Sequence, residues 1–221
     1  MSRLFDDASS EALNIDQAVV TAVPFTVSAW MRTNDLTPEQ TVFFLGDSGA
    51  INNFLTLGML DSANGNVIRF QARSGGAVNA DTSTGASVNT WHHVCGVAAA
   101  ANDRRVFIDG GSMGANGTNR TPLGVNRTSI GREGIPTPVM FFSGNIGHVA
   151  VWNVALTDDE VATLAEGISP LKVRRDSLIY YVPINGQSPE LEMVGGLDMA
   201  LIGTPTVAEE PPIPDSIVAP G

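Results

Sequence analysis

Cysteine is almost missing from this chain. Cys95 stands alone among 221 residues, which excludes an internal disulfide framework and any cysteine-rich zinc site; its expected place is that of a small buried apolar side chain. Charge is scarce too, at 16% of residues, and leans acidic: 12 Lys and Arg against 23 Asp and Glu give a net charge of −11. Such a balance repels a phosphate backbone, so nucleic acid is not an expected partner. No apolar run approaches the ~18 residues that span a bilayer, and no apolar stretch of signal-peptide type follows Arg3. Neither a membrane nor a secretory route is expected, and the chain reads as made in a cytoplasm. Aromatics amount to only 6%, few for a module that stacks sugar rings on an exposed platform.

Turn formers and short alternating runs are what the chain does have. Its 23 glycines and 13 prolines suit many short strands joined by tight turns. Phe25-Thr-Val-Ser-Ala-Trp-Met-Arg32 alternates, with Phe25, Val27, Ala29 and Met31 on one face and Thr26, Ser28, Trp30 and Arg32 on the other. Because Trp30 lies opposite the apolar face, that second face must also be covered. Similar runs follow at Thr41 to Leu45, Phe54 to Met59 and Val67 to Arg73, with the turn signal Asn64-Gly65 before the last. Trp91 to Val97 and Arg105 to Ile108 are expected to pair as neighbours. Ser112 to Asn126 is polar and aperiodic, which reads as a long exposed loop; the sequons at Asn116, Asn119 and Asn126 fall there. Ser143 to Asn153 is a long strand. Thr157-Asp-Asp-Glu160 forms a capping box, which starts a short helix of about Asp158 to Glu166 that ends at Gly167 and Pro170. Val161, Leu164 and Ala165 give that helix an apolar face to dock on a sheet. Strands at Ser177 to Val182 and Met199 to Ile202 precede a proline-rich end. The expected organisation is one all-β domain over residues 1–205 and an extended tail over 206–221.

In order along the chain, Phe25-Thr-Val-Ser-Ala-Trp30, Trp91-His-His-Val94, Val106-Phe-Ile-Asp-Gly110, Ile130-Gly-Arg132 and Gly144-Asn-Ile-Gly-His-Val-Ala-Val-Trp-Asn153, then Ala155-Leu-Thr and Glu160, resemble the laminin-G-like, concanavalin A-like jelly roll over about Leu4 to Gly167. The resemblance implies an antiparallel β-sandwich, a fold with many functions. Ser169 to Pro183, Gly195-Gly-Leu, Gly203-Thr-Pro-Thr-Val and Pro211-Pro-Ile are similar to the C-terminal extension of such proteins in tailed bacteriophages. That similarity implies a non-enzymatic virion protein, a capsid decoration or head fibre, with the major capsid or another virion protein as partner, a homo-oligomeric state, and tail residues Ile213, Ile217 and Val218 as docking points. The alternative is a carbohydrate-binding adhesion module outside a virion. A β-glucanase-like hydrolase is the remote third reading.

The related β-glucanases carry two or three carboxylates on one inner-face strand, as glycoside cleavage needs an acid and a nucleophile or base within roughly 5 to 10 Å. No strand here has that pattern: Asp158, Asp159 and Glu160 belong to a helix start, and Glu190 and Glu192 to a loop. His92, His93 and His148 fall on different faces or strands and do not read as a zinc set. Laminin-G-like domains often hold calcium at the rim, and Asp47, Asp61, Asp81 and Asp103 are the loop carboxylates that could do so; no other cofactor is expected. For a surface glycan the candidates are Asn116 and Asn119 in the polar loop, and Phe141 and Phe142 after the Pro136-Thr-Pro138 turn.

Overall fold

The structure is a computed structural model, and it describes residues 1–213. In chain order the strands are β1 Ser2–Phe5, β2 Ala12–Ile15, β3 Phe25–Thr33, β4 Gln40–Gly46, β5 Asn53–Met59, β6 Val67–Ser74, β7 Gly76–Gly85, β8 His92–Ala100, β9 Asp103–Ile108, β10 Gly111–Asn116, β11 Arg127–Ile130 and β12 Gly144–Trp152; helix α1, Asp158–Ala165, follows, then β13 Leu178–Val182, β14 Ala200–Ile202 and β15 Thr206–Ala208. They form two antiparallel sheets. The first runs β10-β9-β8-β3-β12-β1-β15, with β13 sharing the β12 edge with β1; the second runs β14-β2-β11-β4-β5-β6-β7. The chain is an antiparallel β-sandwich with one short helix, as expected.

The main core lies between the sheets and takes one side of each strand: Phe25, Val27, Ala29 and Met31 from β3 meet Leu55, Leu57, Ile68 and Phe70 from the second sheet. The outer side of the first sheet is covered as well. Cys95, Val97, Phe107, Ala150 and Trp152 pack beneath Val161 and Leu164 of α1 and beneath Leu156, Val173 and Leu178, and Trp152 Nε1 donates to the Val173 carbonyl at 2.8 Å. The capping box forms as read: Glu160 N–H donates to Thr157 Oγ1 and Thr157 N–H to Glu160 Oε2. Trp30 is buried edge-on against His93; Trp91 is only half-buried.

One expectation fails at the sheet edges, and one edge strand lies outside the expected elements. Residues Ser112 to Asn116 do not belong to a loop but to β10, which pairs with β9. Gly76–Gly85, which the expected elements leave unassigned, is β7. Both strands border their sheets; β10 alternates between half-buried and exposed and lacks the apolar face that marks an inner strand, whereas β7 turns only the small Val78, Ala80 and Thr82 inward. They meet each other at the closed side of the sandwich, where Asn116 Nδ2 donates to the Asn79 carbonyl at 2.8 Å. Gly114 must be glycine there, because a Cβ would lie 1.8 Å from the Asp81 carbonyl oxygen.

The C-terminal region is part of the sandwich. Thr206–Ala208, the first residues of the expected tail, pair with β1. Arg3 is buried and donates to the Glu190 carboxylate and to the Pro205 and Gln187 carbonyls; Glu190 also accepts from the N–H groups of Asn185 and Gly186 at 3.0 Å. Glu192 accepts from the N–H groups of Tyr181, Val194 and Gly196. Beyond β15, Glu209 pairs with Arg32 and Glu210 with the N-terminal ammonium. Pro211 lies against Gly147. Ile213, expected as a docking point, is buried at 5% exposure within its own chain, so as placed it offers no surface to a partner. Ile217 and Val218 lie outside the described residues.

Removing one member of the buried pair leaves an uncompensated charge in a low-dielectric site. Glu190→Ala is therefore expected to destabilise the fold by about 3–5 kcal/mol in urea unfolding, against about 1 kcal/mol for Thr157→Ala at the helix cap.

Candidate functional site

The outer face of the second sheet lies away from the helix layer that covers the first, and among the described residues it holds a recess. Along β6 the core takes Ile68, Phe70 and Ala72, which turns Arg69, Gln71 and Arg73 outward; on β5, Thr56 and Gly58 share that outer side. Phe44 and Phe54 are also on the outer side but are buried there, with ring centroids 5.6 Å apart, and the Arg73 guanidinium lies 5.8 Å over the Phe54 ring, a cation–π contact.

A loop makes this face concave. After β11 the chain folds back through residues 131–143, held by Gly131 N–H to the Val42 carbonyl, by a bridge between Glu133 and Val139, and by Thr41 N–H to the Met140 carbonyl at 2.9 Å. Gly134 passes low over the sheet, where a Cβ would lie 2.5 Å from Ser129 Oγ and 3.1 Å from Phe44. Between this loop and the sheet lies a cavity of about 160 Å³ lined by Glu39, Gln40, Thr41, Thr56, Gly58, Met59, Leu60, Arg69, Gln71, Arg73, Glu133 and Met140. Its volume is below the roughly 300 Å³ of sites that enclose a drug-sized ligand. It suits one small unit of a larger ligand.

Glu133 is the unusual group in it. Its side chain lines the cavity and is only 6% exposed, and among the described residues it accepts no hydrogen bond and forms no ion pair. Burial pushes its carboxyl up to about 7; Arg73 works against that rise and Glu39 adds to it. The remaining polar groups are held in place. Arg69 forms a double ion pair with Asp81 at 2.7 Å, Gln71 donates to Asn79 at 3.0 Å, and Gln40 reaches Thr33 and the Asp35 carbonyl.

The sequence-derived candidates do not gather at any one place. Asp47 accepts from Gly49 N–H, Asp61 from Asn64 N–H, Asp81 is taken by Arg69, and Asp103 sits 3.7 Å from Arg105. Among the described residues no three His, Cys, Asp or Glu side chains are grouped as metal ligands. His92 bonds Asp109, His93 bonds Ser28 and His148 bonds Tyr181; burial pulls His93 and His148 down to about 4.

Asn116 and the exposed Asn119 sit at the end of the sandwich where β3 begins. The Phe141–Phe142 segment lies at the opposite end, beside Gly131 and Asn34. Phe142 is not exposed but fully buried in the main core, since the chain dives inward after the proline turn; Phe141 is half-buried. Glu39, Thr56, Gln71, Arg73 and Glu133 share no signal in the sequence that marks them as a group. The polar alternation of β6 was legible, but any half-exposed strand shows it, and Glu39 and Glu133 come from loops distant in sequence.

A family model described as the concanavalin A-like lectin/glucanases superfamily matches residues 7–162, and the chain belongs to that family. No curated protein matches it significantly. Solved structures share the fold. The CBM40 module of the Ruminococcus gnavus IT-sialidase, bound to α2,3-sialyllactose, superposes with a TM-score of 0.58 at 15% identity, covering 66% of this chain and 84% of that one. Domain 4 of a GH43 extracellular arabinanase from Geobacillus stearothermophilus, in complex with arabinotriose, gives 0.57 at 20% identity over 70% and 72%. A candidate carbohydrate-binding protein of Bacteroides ovatus gives 0.62 at 17% identity and covers 93% of this chain and 61% of that one.

Glu133 makes stability depend on pH. A carboxyl raised in the fold holds its proton in the native state while the unfolded chain has lost it, so this group lowers stability as pH rises from about 4.5 to about 7. The two depressed histidines act at the acid end, where stability falls as pH drops below their ordinary range. Glu133→Gln removes only the first effect, so its stability relative to the parent should grow between pH 4.5 and 8 by on the order of 2 kcal/mol in urea titrations.

Proposed function

We propose that the protein is a carbohydrate-binding module that holds a saccharide on the concave outer face of its second sheet, one sugar unit entering the cavity beneath Glu133. The observation that carries this reading is the cavity itself: a small recess lined by carboxyls, amides, two guanidinium groups and threonine hydroxyls. Such groups exchange hydrogen bonds with sugar hydroxyls, and Met140, exposed at the rim, supplies apolar surface for the ring. The family match and the saccharide-bound structures of similar fold support it. The outer position of Arg73 and Gln71 on a paired strand suits binding, because rigid strands preorganise their side chains.

The virion role, with a capsid protein as partner and Ile213, Ile217 and Val218 as docking points, gains nothing from the comparisons and now ranks below this reading. The two are compatible, since a module of a larger assembly can bind glycans. Calcium at a rim carboxylate stays a separate question, which titration with and without the ion answers.

A glycan array followed by calorimetry tests the reading. Saturable binding to at least one saccharide is expected, with no hydrolysis product. Gln71→Ala with Arg73→Ala should weaken it roughly tenfold or more while the melting temperature stays close to the parent's. Loss of binding on altering Asn119 instead would move the site to the other end of the sandwich.

A further inference from the structure

We propose that the cavity beneath Glu133 takes a protonated amine, and that the saccharide unit it holds is an amino sugar whose ammonium group sits between the carboxyls of Glu133 and Glu39. This rests on the saccharide reading above and narrows it to one ligand class.

The first observation is a missing partner. Other deeply buried carboxylates of this chain are well supplied with donors. Glu11 accepts from the N–H groups of Asp6 and Thr204, Glu190 from Arg3 and two N–H groups, and Glu192 from three N–H groups. Glu133 is buried to the same degree, yet no donor among the described residues reaches it. Its oxygens are not sealed in protein but open onto the cavity the side chain lines, so the donor it lacks comes from what occupies that cavity, and a ligand can bring it.

The second observation is charge. Around the cavity, Arg69 is neutralised by Asp81, which reaches it from β7, and Arg127, whose stem lies by Gly134, is paired with Asp16. What remains is Glu39 from the loop before β4, Glu133 from the loop after β11, and Arg73 from β6, whose guanidinium rests on Phe54 out of ion-pair range of either carboxyl. With Glu133 ionised these three leave one negative charge uncompensated in a recess that disfavours it. Burial, with Glu39 adding to it, raises the affinity of Glu133 for a proton, and protonation removes that charge. An ammonium group does the same and adds hydrogen-bond donors. A neutral sugar supplies donors but leaves the charge, and an acidic sugar adds to it. Binding the amine below neutral pH then displaces a proton from Glu133 into solvent.

Calorimetry of the whole chain at pH 6 with a β-1,4-linked glucosamine tetramer, its fully N-acetylated counterpart and spermidine tests this, in two buffers of different ionisation enthalpy. The glucosamine oligomer is expected to bind roughly tenfold or more tighter than the N-acetylated one. Its buffer dependence should reveal up to about one proton released per site. Glu133→Gln, which keeps the shape and cannot ionise, should lose both the preference and the proton release and still melt cooperatively. If the N-acetylated oligomer binds as well as the amine form, or the preference survives Glu133→Gln, the amine assignment is wrong while the saccharide reading stands. If spermidine matches the glucosamine oligomer, the amine assignment holds in chemistry but its saccharide source is overturned. If neither these oligomers nor any arrayed glycan binds, both readings fall.

Discussion

Burial of the first sheet on both of its faces is the constraint on which the rest of this structure depends. Strand β12 has every residue buried, with β3 on one edge and β1 and β13 on the other. Its inner side feeds the main core, and its outer side supports the second cluster around Trp152, Leu178 and Tyr181. A sheet so enclosed gains apolar burial twice, worth roughly 25 cal/mol per Å², but gives up its surface. Helix α1 and the segment that follows it are the covering layer, which explains why a β-sandwich carries one short amphipathic helix with a full capping box.

What the first sheet gives up, the second keeps. Its outer face is closed at one end by the loop over residues 131–143 and stays accessible mainly along β6, at Arg69, Gln71 and Arg73, so the same loop that returns the chain from β11 to β12 also shapes a recess. The loop brings Glu133 over the sheet, where water is partly excluded. Desolvation there dominates the charge of Arg73, and the carboxyl titrates near neutrality. The site's chemistry follows from topology more than from any local motif: one carboxyl enters from before β4, another from after β11, and a cation from β6.

That origin explains how much could be read from the sequence. Phe25 to Arg32 shows its two faces because a half-buried or two-faced strand writes its environment into every second residue. Thr157 to Glu160 shows its helix start because capping is a local bond pattern. The turn signal at Asn64-Gly65 also holds, although Gly65 and Asn66 are the residues that take positive φ. Strand β10 carries little signal because edge pairing is a backbone affair and tolerates Gly, Ser and Asn, and β7 carries a weak one because its inward side is only the small Val78, Ala80 and Thr82. Phe142 was misplaced because neighbouring prolines mark a turn without telling where the chain goes next. Glu190 and Glu192 looked like loop carboxylates and are buried anchors for Arg3 and for a chain turn, since their partners lie far off in sequence or are backbone N–H groups. Glu133 had no signature at all: its neighbours Glu39 and Arg73 are 94 and 60 positions away.

The most direct test of a saccharide site on the outer face of the second sheet is backbone amide NMR of the chain titrated with a binding glycan. The account predicts that the largest shifts fall on Glu39 to Thr41, Thr56, Arg69 to Arg73 and Glu133 to Met140, with the first sheet nearly silent. Shifts concentrated on Asn116 to Asn126, or around the Asp47 and Asp103 turns at that same end of the sandwich, would contradict it.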